Sequence, residues 1–126
     1  MDRKEISDFE AVQAKMQSAY KEFTALSTKN AEGQVNKFKL NHINRILADA
    51  GTVLGGTTPL DGFREFDIDS TPSNSDVTFV LSQFLHGLEK LRADNIVADY
   101  TGKLWFWKID GAESDERTAP PTKLKF

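Results

Sequence analysis

A stretch in the middle of the chain carries side chains suited to holding a divalent cation. Residues 67–76 place four hard oxygen donors close together: Asp67, Asp69, Asn74 and Asp76. Oxygen ligands are what Ca²⁺ and Mg²⁺ prefer in proteins. An EF-hand loop counted from Asp67 needs glycine at its sixth position and glutamate at its twelfth, where this chain has Pro72 and Thr78. The sequence therefore excludes an EF-hand. Our main prediction is a protein that binds no metal and no cofactor.

The same stretch contains a short motif with a known chemical use. Asp67, Asp69 and Thr71 have the spacing D-x-D-x-T, which resembles the nucleophile motif of the haloacid dehalogenase-type phosphatases. The resemblance covers five residues and implies that Asp67 attacks phosphorus while Asp69 acts as acid and base beside Mg²⁺. In that family a buried apolar strand precedes the motif, whereas Arg64 and Glu65 precede it here, and only 55 residues follow Thr71. An acidic loop that caps a helix explains the same residues.

Both tryptophans of the chain lie close together in the stretch YTGKLWFWKI, residues 100–109. Successive side chains of a β-strand point to opposite faces, so Trp105 and Trp107 share one face, and Leu104 and Phe106 share the other. Both faces are then apolar. A small domain usually has a single hydrophobic core, and that core can cover only one of the two faces. What covers the second face is the question that this stretch raises.

Several answers are open at this point. The helices can cover one face, and the first helix or the C-terminal tail can cover the other. Alternatively, a second subunit, a different protein or a flat ligand stacked on the indole rings covers one of them. The candidate binding residues are Trp105, Trp107, Tyr100 and Phe106.

Other chemical signatures are weak in this sequence. The two histidines, His42 and His86, each stand alone on a predicted helix without a carboxylate at metal-ligand spacing. Neither a Walker loop nor a G-x-S-x-G elbow is present. The basic residues Lys37, Lys39 and Arg45 are typical of a solvated helix face, and we expect no nucleic-acid partner.

Composition sets the broad class of the protein. The 126 residues, of which 28% are charged and 39% hydrophobic, are enough for one domain with a modest core. Sixteen basic and nineteen acidic residues give a net charge of −3, which repels a phosphate backbone. Because the chain has no cysteine, disulfides and thiol catalysis are excluded. Without an apolar run of about 20 residues or a signal peptide, the sequence predicts a soluble, cytoplasmic protein with no membrane partner.

Apolar residues recur at steps of three and four in three stretches, which predicts three amphipathic helices. The first is expected to begin at Ser7, whose spacing to Glu10 is that of a capping box, and to run to about Thr28. The second is expected to stop at Gly55 and Gly56, residues suited to a left-handed C-terminal cap.

The third helix has the broadest apolar stripe and is predicted to form the centre of the core. Two starts fit the sequence: Thr71 as cap followed by Pro72, or Ser73 as cap with Asp76 three residues later. Gly87 within this helix predicts close packing against another backbone, since glycine costs about 1 kcal/mol in a helix relative to alanine.

After Asn95 the apolar period changes to about two, which predicts a β-hairpin with Gly102 in its turn. Residues 63–69 allow either a short strand or an extended tether. We predict an α+β fold in which three amphipathic helices pack on a small antiparallel sheet containing a C-terminal β-hairpin. Residues 1–110 are assigned to a single globular domain. Residues 111–126 are assigned to a charged, proline-containing tail that is mobile or docks along a sheet edge through its final KLKF.

These observations favour a small acidic protein without catalysis of its own. Our prediction is an interaction or accessory protein that uses the aromatic sheet face or the sheet edge as its contact surface. Its partner is another protein or a second copy of itself in a homodimer. Two alternatives remain: a metal-dependent phosphoryl-transfer or hydrolytic enzyme centred on Asp67 and Asp69, and a binder of a flat small molecule stacked on Trp105 and Trp107.

Overall fold

The computed structural model describes residues 1–122. Three helices come first: α1 (Arg3–Asn30), α2 (Lys37–Val53) and α3 (Asn74–Ala93). An antiparallel sheet follows, with its strands in the spatial order β1 (Ile96–Ala98), β2 (Trp105–Ile109) and β3 (Ala112–Thr118). The fold is α+β, which confirms the predicted three helices and small antiparallel sheet with a C-terminal hairpin. None of the helices within residues 1–122 has both the length and the apolar character of a membrane span.

Helix α1 begins earlier than the sequence pattern predicts. Its N-cap is Asp2, whose carboxylate accepts a hydrogen bond from the Glu5 N–H at 2.8 Å, while the Glu5 carboxylate accepts one from the Asp2 N–H at 3.3 Å. The bond from the Glu5 N–H lowers the pKa of the Asp2 carboxyl. Ser7 and Glu10 lie inside the helix, so the predicted capping box at Ser7 is wrong. The acidic cap at Asp2 takes its place because it also faces the positive end of the helix dipole.

The ends of the other helices follow the sequence signals. Ser73 caps α3: its hydroxyl accepts a hydrogen bond from the Asp76 N–H at 3.1 Å, and the Asp76 carboxylate accepts one from the Ser73 N–H at 3.0 Å. Thr71, the other candidate cap, has a φ of 48°, a left-handed conformation that a β-branched residue seldom adopts. After α2, Gly55 and Gly56 have φ values of 65° and 90°, which confirms the predicted stop.

Helix α3 contributes more buried residues than α1 or α2, but the central position that the sequence analysis predicted for it belongs to α1. α1 packs along much of α3 and also against α2, whereas α2 and α3 contact each other less. The largest fully buried side chains come from all three helices and β2: Phe9, Met16, Leu40, Ile43, Leu47, Val77, Leu81, Leu88 and Trp107. A β-carbon at Gly87 would lie 2.7 Å from Cγ of Pro59, so the close neighbour of this glycine is a proline ring and not another helix backbone.

The predicted hairpin is the pair β1–β2, in which Val97 lies opposite Phe106. Strand β3 pairs with the other side of β2 and places Arg117 opposite Phe106. A bulge interrupts this second pairing at Trp107, where the Ser114 hydroxyl donates a hydrogen bond to the Trp107 carbonyl at 2.6 Å. The serine side chain thus replaces a missing backbone partner at the irregular position.

Strand β3 lies within the segment 111–126, which the sequence analysis assigned to a tail. It has charged or polar residues at most positions, AESDERT, and pairs through its backbone. The final KLKF, for which edge pairing was considered, lies outside the described residues.

One buried side chain attaches the sheet to the helices. The Trp107 ring packs edge-to-face against Phe9 of α1, with 5.3 Å between the ring centroids. Its indole N–H donates a hydrogen bond to the Glu10 carboxylate at 3.1 Å. Because the indole has both an apolar contact and a polar partner, it is buried without an unsatisfied N–H.

The beginning of the chain also contacts the last two strands. The Asp110 N–H, in the turn between β2 and β3, donates a hydrogen bond to the Met1 carbonyl at 3.3 Å. Arg3 pairs with the carboxylates of Glu116 and Asp115 on β3. These contacts place the start of α1 beside the β2–β3 hairpin.

Residues 63–67 form an extended tether, the second of the two predicted possibilities, residues 68 and 69 lie in a turn, and none of them forms a strand. The Asn44 side chain of α2 holds this tether: its oxygen accepts a hydrogen bond from the Phe66 N–H at 2.9 Å, and its nitrogen donates one to the Phe66 carbonyl at 2.8 Å. The Phe66 ring packs edge-to-face against Phe63 at 5.0 Å. One side-chain amide thus pairs with the tether as a neighbouring strand would.

Alanine at Gly87 is predicted to destabilise the fold. Its methyl group would lie 2.7 Å from Pro59. Overpacking of this kind costs about 1–3 kcal/mol. This cost exceeds the gain in helix propensity from replacing glycine by alanine. The free energy of unfolding, measured in urea, gives the net effect of the substitution. Gly51 of α2 is the matched control, because a β-carbon there meets nothing within 4 Å, so Gly51→Ala should stabilise the protein by about 0.5–1 kcal/mol. Equal stabilisation by both alanines would contradict the tight contact.

Candidate functional site

The two faces of β2 have different surroundings. On the inner face Trp107 is completely buried, and Trp105 and Ile109 are half-buried against the helical core. The chain's own helices therefore cover this face, which is one of the explanations that the sequence left open. The indole of Trp107 is in contact with other residues of the protein and is not accessible to a ligand.

The opposite side of the sheet, called here the outer face, consists of Val97, Leu104, Phe106, Lys108, Glu113, Asp115 and Arg117. Among the described residues, none of these seven side chains belongs to the hydrophobic core or packs against it. Leu104 is 37% exposed, and Phe106 is half-buried between its neighbours. The outer face is thus an apolar strip with charged residues beside it.

One carboxylate holds the turn that joins β1 to β2. The Asp99 side chain accepts hydrogen bonds from the Thr101 hydroxyl at 2.6 Å, the Thr101 N–H at 3.1 Å and the Leu104 N–H at 3.4 Å. Gly102 supplies the left-handed conformation, with a φ of 71°. The hydrogen bond from the Thr101 hydroxyl is the main cause of a lowered pKa of the Asp99 carboxyl. Tyr100 lies on this ordered turn with its side chain fully exposed.

The four binding residues predicted from sequence are therefore divided between two environments. Trp105 and Trp107 lie on the inner face, Phe106 lies on the outer face, and Tyr100 lies on the adjoining turn. The structure brings Phe106 and Leu104 together with the turn but separates them from both tryptophans.

The two aspartates of the D-x-D-x-T motif lie in an exposed turn before α3. One Asp67 oxygen accepts a hydrogen bond from the Asp69 N–H at 2.9 Å, and one Asp69 oxygen lies 3.1 Å from the Lys37 ammonium nitrogen. Within residues 1–122 no cluster of three or more His, Asp and Glu side chains is placed to hold a metal ion. The observed geometry is that of a local turn with a surface ion pair.

A cleft of about 520 Å³ lies between α1, α3, β2 and residues 118–122. Its lining includes Tyr20 and Trp107 together with a buried ion pair, in which Arg92 Nη2 lies 2.6 Å from Glu89 Oε1. Arg92 is 4% exposed and Glu89 is 7% exposed. Buried charges of this kind often mark functional sites, so their remaining partners decide what the cleft can do.

All five N–H donors of the Arg92 guanidinium are used within the chain. The Nε–H and one Nη2–H donate to the two Glu89 oxygens at 2.9 and 2.6 Å. The others donate to the Thr118 hydroxyl at 2.9 Å, the Ala119 carbonyl at 2.7 Å and the Pro120 carbonyl at 2.8 Å. No donor is left for an anionic ligand.

The Glu89 carboxylate is equally occupied. Besides the two bonds from Arg92, it accepts one from the Thr122 N–H at 2.9 Å and a longer one from the Gln13 side chain at 3.5 Å. A carboxylate accepts about four hydrogen bonds. We call this group the Arg92 clamp: Glu89 and Arg92 with Thr118, Ala119, Pro120 and Thr122. Its chemistry is to fasten residues 118–122 to α3.

The sequence analysis did not identify the Arg92 clamp, although one signal was present. Leu85, Leu88 and Arg92 follow each other at steps of three and four, so the arginine occupies a core position on α3. A charge at such a position indicates a buried ion pair, because lone charges are almost never fully buried. The partner segment 118–122 has no sequence pattern that identifies it.

The chain matches no protein-family model, and no curated protein or solved structure is similar to it. The likeness to the haloacid dehalogenase-type phosphatases therefore has no counterpart beyond its five residues. Roles for individual residues rest on the geometry of this chain.

The variant Arg92→Met is predicted to lower the free energy of unfolding by about 3–5 kcal/mol, because it leaves the buried Glu89 charge without its partner. Amide hydrogen exchange in residues 116–122 should become faster, since three of the lost hydrogen bonds hold that segment. Lys90→Met, at an exposed position of the same helix, should change stability by no more than about 0.5 kcal/mol. Similar stability and exchange in the two variants would show that the clamp contributes little.

The lowered pKa of Asp99 makes the turn sensitive to acid. Since the folded pKa lies below the unfolded one, the contribution of Asp99 to stability is complete above the ordinary carboxyl pKa and is lost as the pH falls through the folded pKa. Thr101→Val removes the hydroxyl whose hydrogen bond is the main cause of the lowered pKa, so the pKa of Asp99 should rise. The ¹³C chemical shift of the Asp99 carboxyl carbon, measured against pH, gives this pKa. Thr57→Val, at an exposed loop position, is the control and should leave the midpoint unchanged. An unchanged midpoint in Thr101→Val would contradict the assigned cause.

Proposed function

We propose that this protein is a non-catalytic interaction protein that contacts another protein through the outer face of its sheet and the adjoining turn. The proposal rests on Tyr100, which is fully exposed on a turn held by several hydrogen bonds, next to the exposed Leu104 and the half-buried Phe106. Tyrosine is among the residues most enriched at the energetic centres of protein interfaces. A turn whose backbone is already held in place loses less entropy on binding.

The inner face supports this choice of surface. Trp107 is buried against Phe9 and bonded to Glu10, so its indole has no free ring face for a flat ligand. The Arg92 clamp uses its charges within the chain, so the cleft has no free buried charge to offer. Of the exposed large apolar side chains among the described residues, Tyr100 and Leu104 lie on the turn and the outer face, whereas Phe38, Ile68 and Phe79 lie elsewhere.

The β1 edge of the sheet offers little backbone for the edge contact that was also predicted. Strand β1 has three residues, and Asn95, Val97 and Asp99 direct their backbone groups toward β2. Only Ile96 and Ala98 are left to direct backbone groups outward. Two residues are a short template for an added strand, so the side chains of the outer face are a better contact than the β1 edge.

The size of the outer face favours a partner other than a second copy. Three strands spaced 4.8 Å apart and about five residues long cover roughly 240 Å² in projection. A stable dimer buries about 800 Å² on each partner. A segment of another protein fits this area better, and because the chain has no cysteine we place that encounter in the cytoplasm.

The proposal predicts that peptides selected on the protein bind at the outer face. Random 16-residue peptides displayed on phage would be selected on the full chain, and the affinities of the synthesised winners measured by fluorescence anisotropy. In the variant Tyr100→Ser/Leu104→Ser we expect at least a tenfold loss of affinity, because it removes a tyrosine of the type enriched at hot spots together with the exposed apolar side chain of Leu104.

The matched control is Phe38→Ser, which removes an aromatic side chain that is 85% exposed on α2. It should keep the affinity of the wild-type protein. Selected peptides that bind the wild-type protein and the Tyr100→Ser/Leu104→Ser variant equally well would overturn the proposed surface.

A further inference from the structure

One segment of the chain lies along the cleft between α1 and α3 in the way that a bound peptide would. Residues 118–122, called here the strap, form one wall of this cleft, and Tyr20 and Leu85 lie among its other lining residues. The side chains of residues 119–122 are exposed, whereas Glu89 and Arg92 are buried. Residues 119–122 therefore bury little apolar surface, and the hydrogen bonds of the Arg92 clamp hold them in place.

Most of these hydrogen bonds bind the main chain of the strap. Arg92 donates to the carbonyl oxygens of Ala119 and Pro120 at 2.7 and 2.8 Å, and Glu89 accepts a hydrogen bond from the Thr122 N–H at 2.9 Å. The bond from Arg92 to the Thr118 hydroxyl is the one that depends on a side chain of the strap. Because main-chain groups are common to all peptides, a segment of another protein can make the same bonds.

The two prolines define which sequences fit the clamp. Pro120 and Pro121 have no N–H, so they leave no main-chain donor that needs a partner. Their rings fix φ near −65°, and the residue before each proline favours an extended backbone. The clamp thus binds two successive carbonyls and an N–H two residues after the second carbonyl. A sequence X-Pro-Pro-X presents these groups in a conformation of low entropy.

The buried ion pair favours a neutral ligand. Glu89 already neutralises Arg92 through two hydrogen bonds. The Pro120 carbonyl and the Glu89 carboxylate both accept hydrogen bonds from Nη2 of Arg92, so they lie close together. A carboxylate or phosphate in place of this carbonyl would be repelled by Glu89, and like charges repel more strongly in a buried site than in water. Peptide carbonyls satisfy the guanidinium without that repulsion.

We infer that the cleft is a second binding site of this protein, separate from the outer face, and that its ligand is an extended X-Pro-Pro-X segment of another protein. The strap occupies this site as an internal competitor and is therefore autoinhibitory. Opening the strap leaves the three helices folded, since local opening requires less free energy than global unfolding. Tyr20 lies at the cleft, and proline-rich segments bind in grooves lined by aromatic side chains.

The test supplies the strap sequence as a separate molecule. The peptide RTAPPT, which repeats residues 117–122, would be blocked at both ends and titrated into the full chain. NMR would follow the indole N–H of Trp107, which lines the cleft. In Pro120→Gly/Pro121→Gly the open strap gains conformational freedom and competes less. This variant should therefore bind RTAPPT at least tenfold more tightly than the wild-type protein does.

Three controls assign the binding to the clamp. Thr57→Gly/Asp61→Gly places two glycines in another exposed loop and should bind RTAPPT as the wild-type protein does. The peptide RTAGGT should bind Pro120→Gly/Pro121→Gly at least tenfold more weakly than RTAPPT, and this comparison uses one and the same folded protein. Adding Arg92→Lys to Pro120→Gly/Pro121→Gly keeps a positive charge beside Glu89 but removes the forked donors, so RTAPPT should again lose at least tenfold in affinity.

Several outcomes would contradict the inference. Equal affinity of RTAPPT for the wild-type protein and for Pro120→Gly/Pro121→Gly would show that the strap does not compete, and equal affinity of RTAPPT and RTAGGT would remove the role of the prolines. Loss of RTAPPT binding in Tyr100→Ser/Leu104→Ser would place the peptide on the outer face, so that the second site fails while the proposed function stands. A dimer of the wild-type protein that Pro120→Gly/Pro121→Gly abolishes, measured by light scattering, would assign the site to the strap of a second copy.

Discussion

The burial of one arginine on α3 constrains much of the architecture. Arg92 lies at a core position of α3, where an unpaired guanidinium would be very unfavourable. Glu89 neutralises the charge, but three of the five donors still need oxygens, and residues 118–120 supply them. Fastening this segment positions β3 and, through the ladder, β2. The Trp107 ring then lies against α1, and the outer face and its turn are presented to solvent as a consequence.

Much of the architecture could be predicted because it rests on local signals. The cap at Ser73 and the positive-φ turn at Gly102 each depend on a few neighbouring residues. The start of α1 was misplaced because two capping boxes with the same spacing compete, and the pattern alone does not rank Asp2 above Ser7. Strand β3 was missed for a different reason. Its seven residues have no apolar alternation, and it forms because its backbone groups and the Ser114 hydroxyl complete the edge of β2.

The candidate site was predicted in part. Alternation along β2 assigns Trp107 and Phe106 to opposite faces, and the structure has them there. Which face the helices cover depends on the three-dimensional direction in which the hairpin folds back, and no periodicity encodes that direction. The placement of Tyr100 depends on the Asp99 hydrogen bonds that order the turn. The position of Arg117 on the outer face depends on a strand that the pattern does not show.

The contacts between the start of α1 and the β2–β3 hairpin have a consequence for how the protein is made. Arg3 and its partner Glu116 are 113 residues apart in sequence. A ribosome adding 5–20 residues per second needs on the order of ten seconds to cover that distance. During this interval α1 and α3 can already pack, while the Phe9 side chain still lacks the indole that covers it. The bundle of three helices is thus expected to exist for seconds with one apolar side open, until the arrival of the last strands closes it.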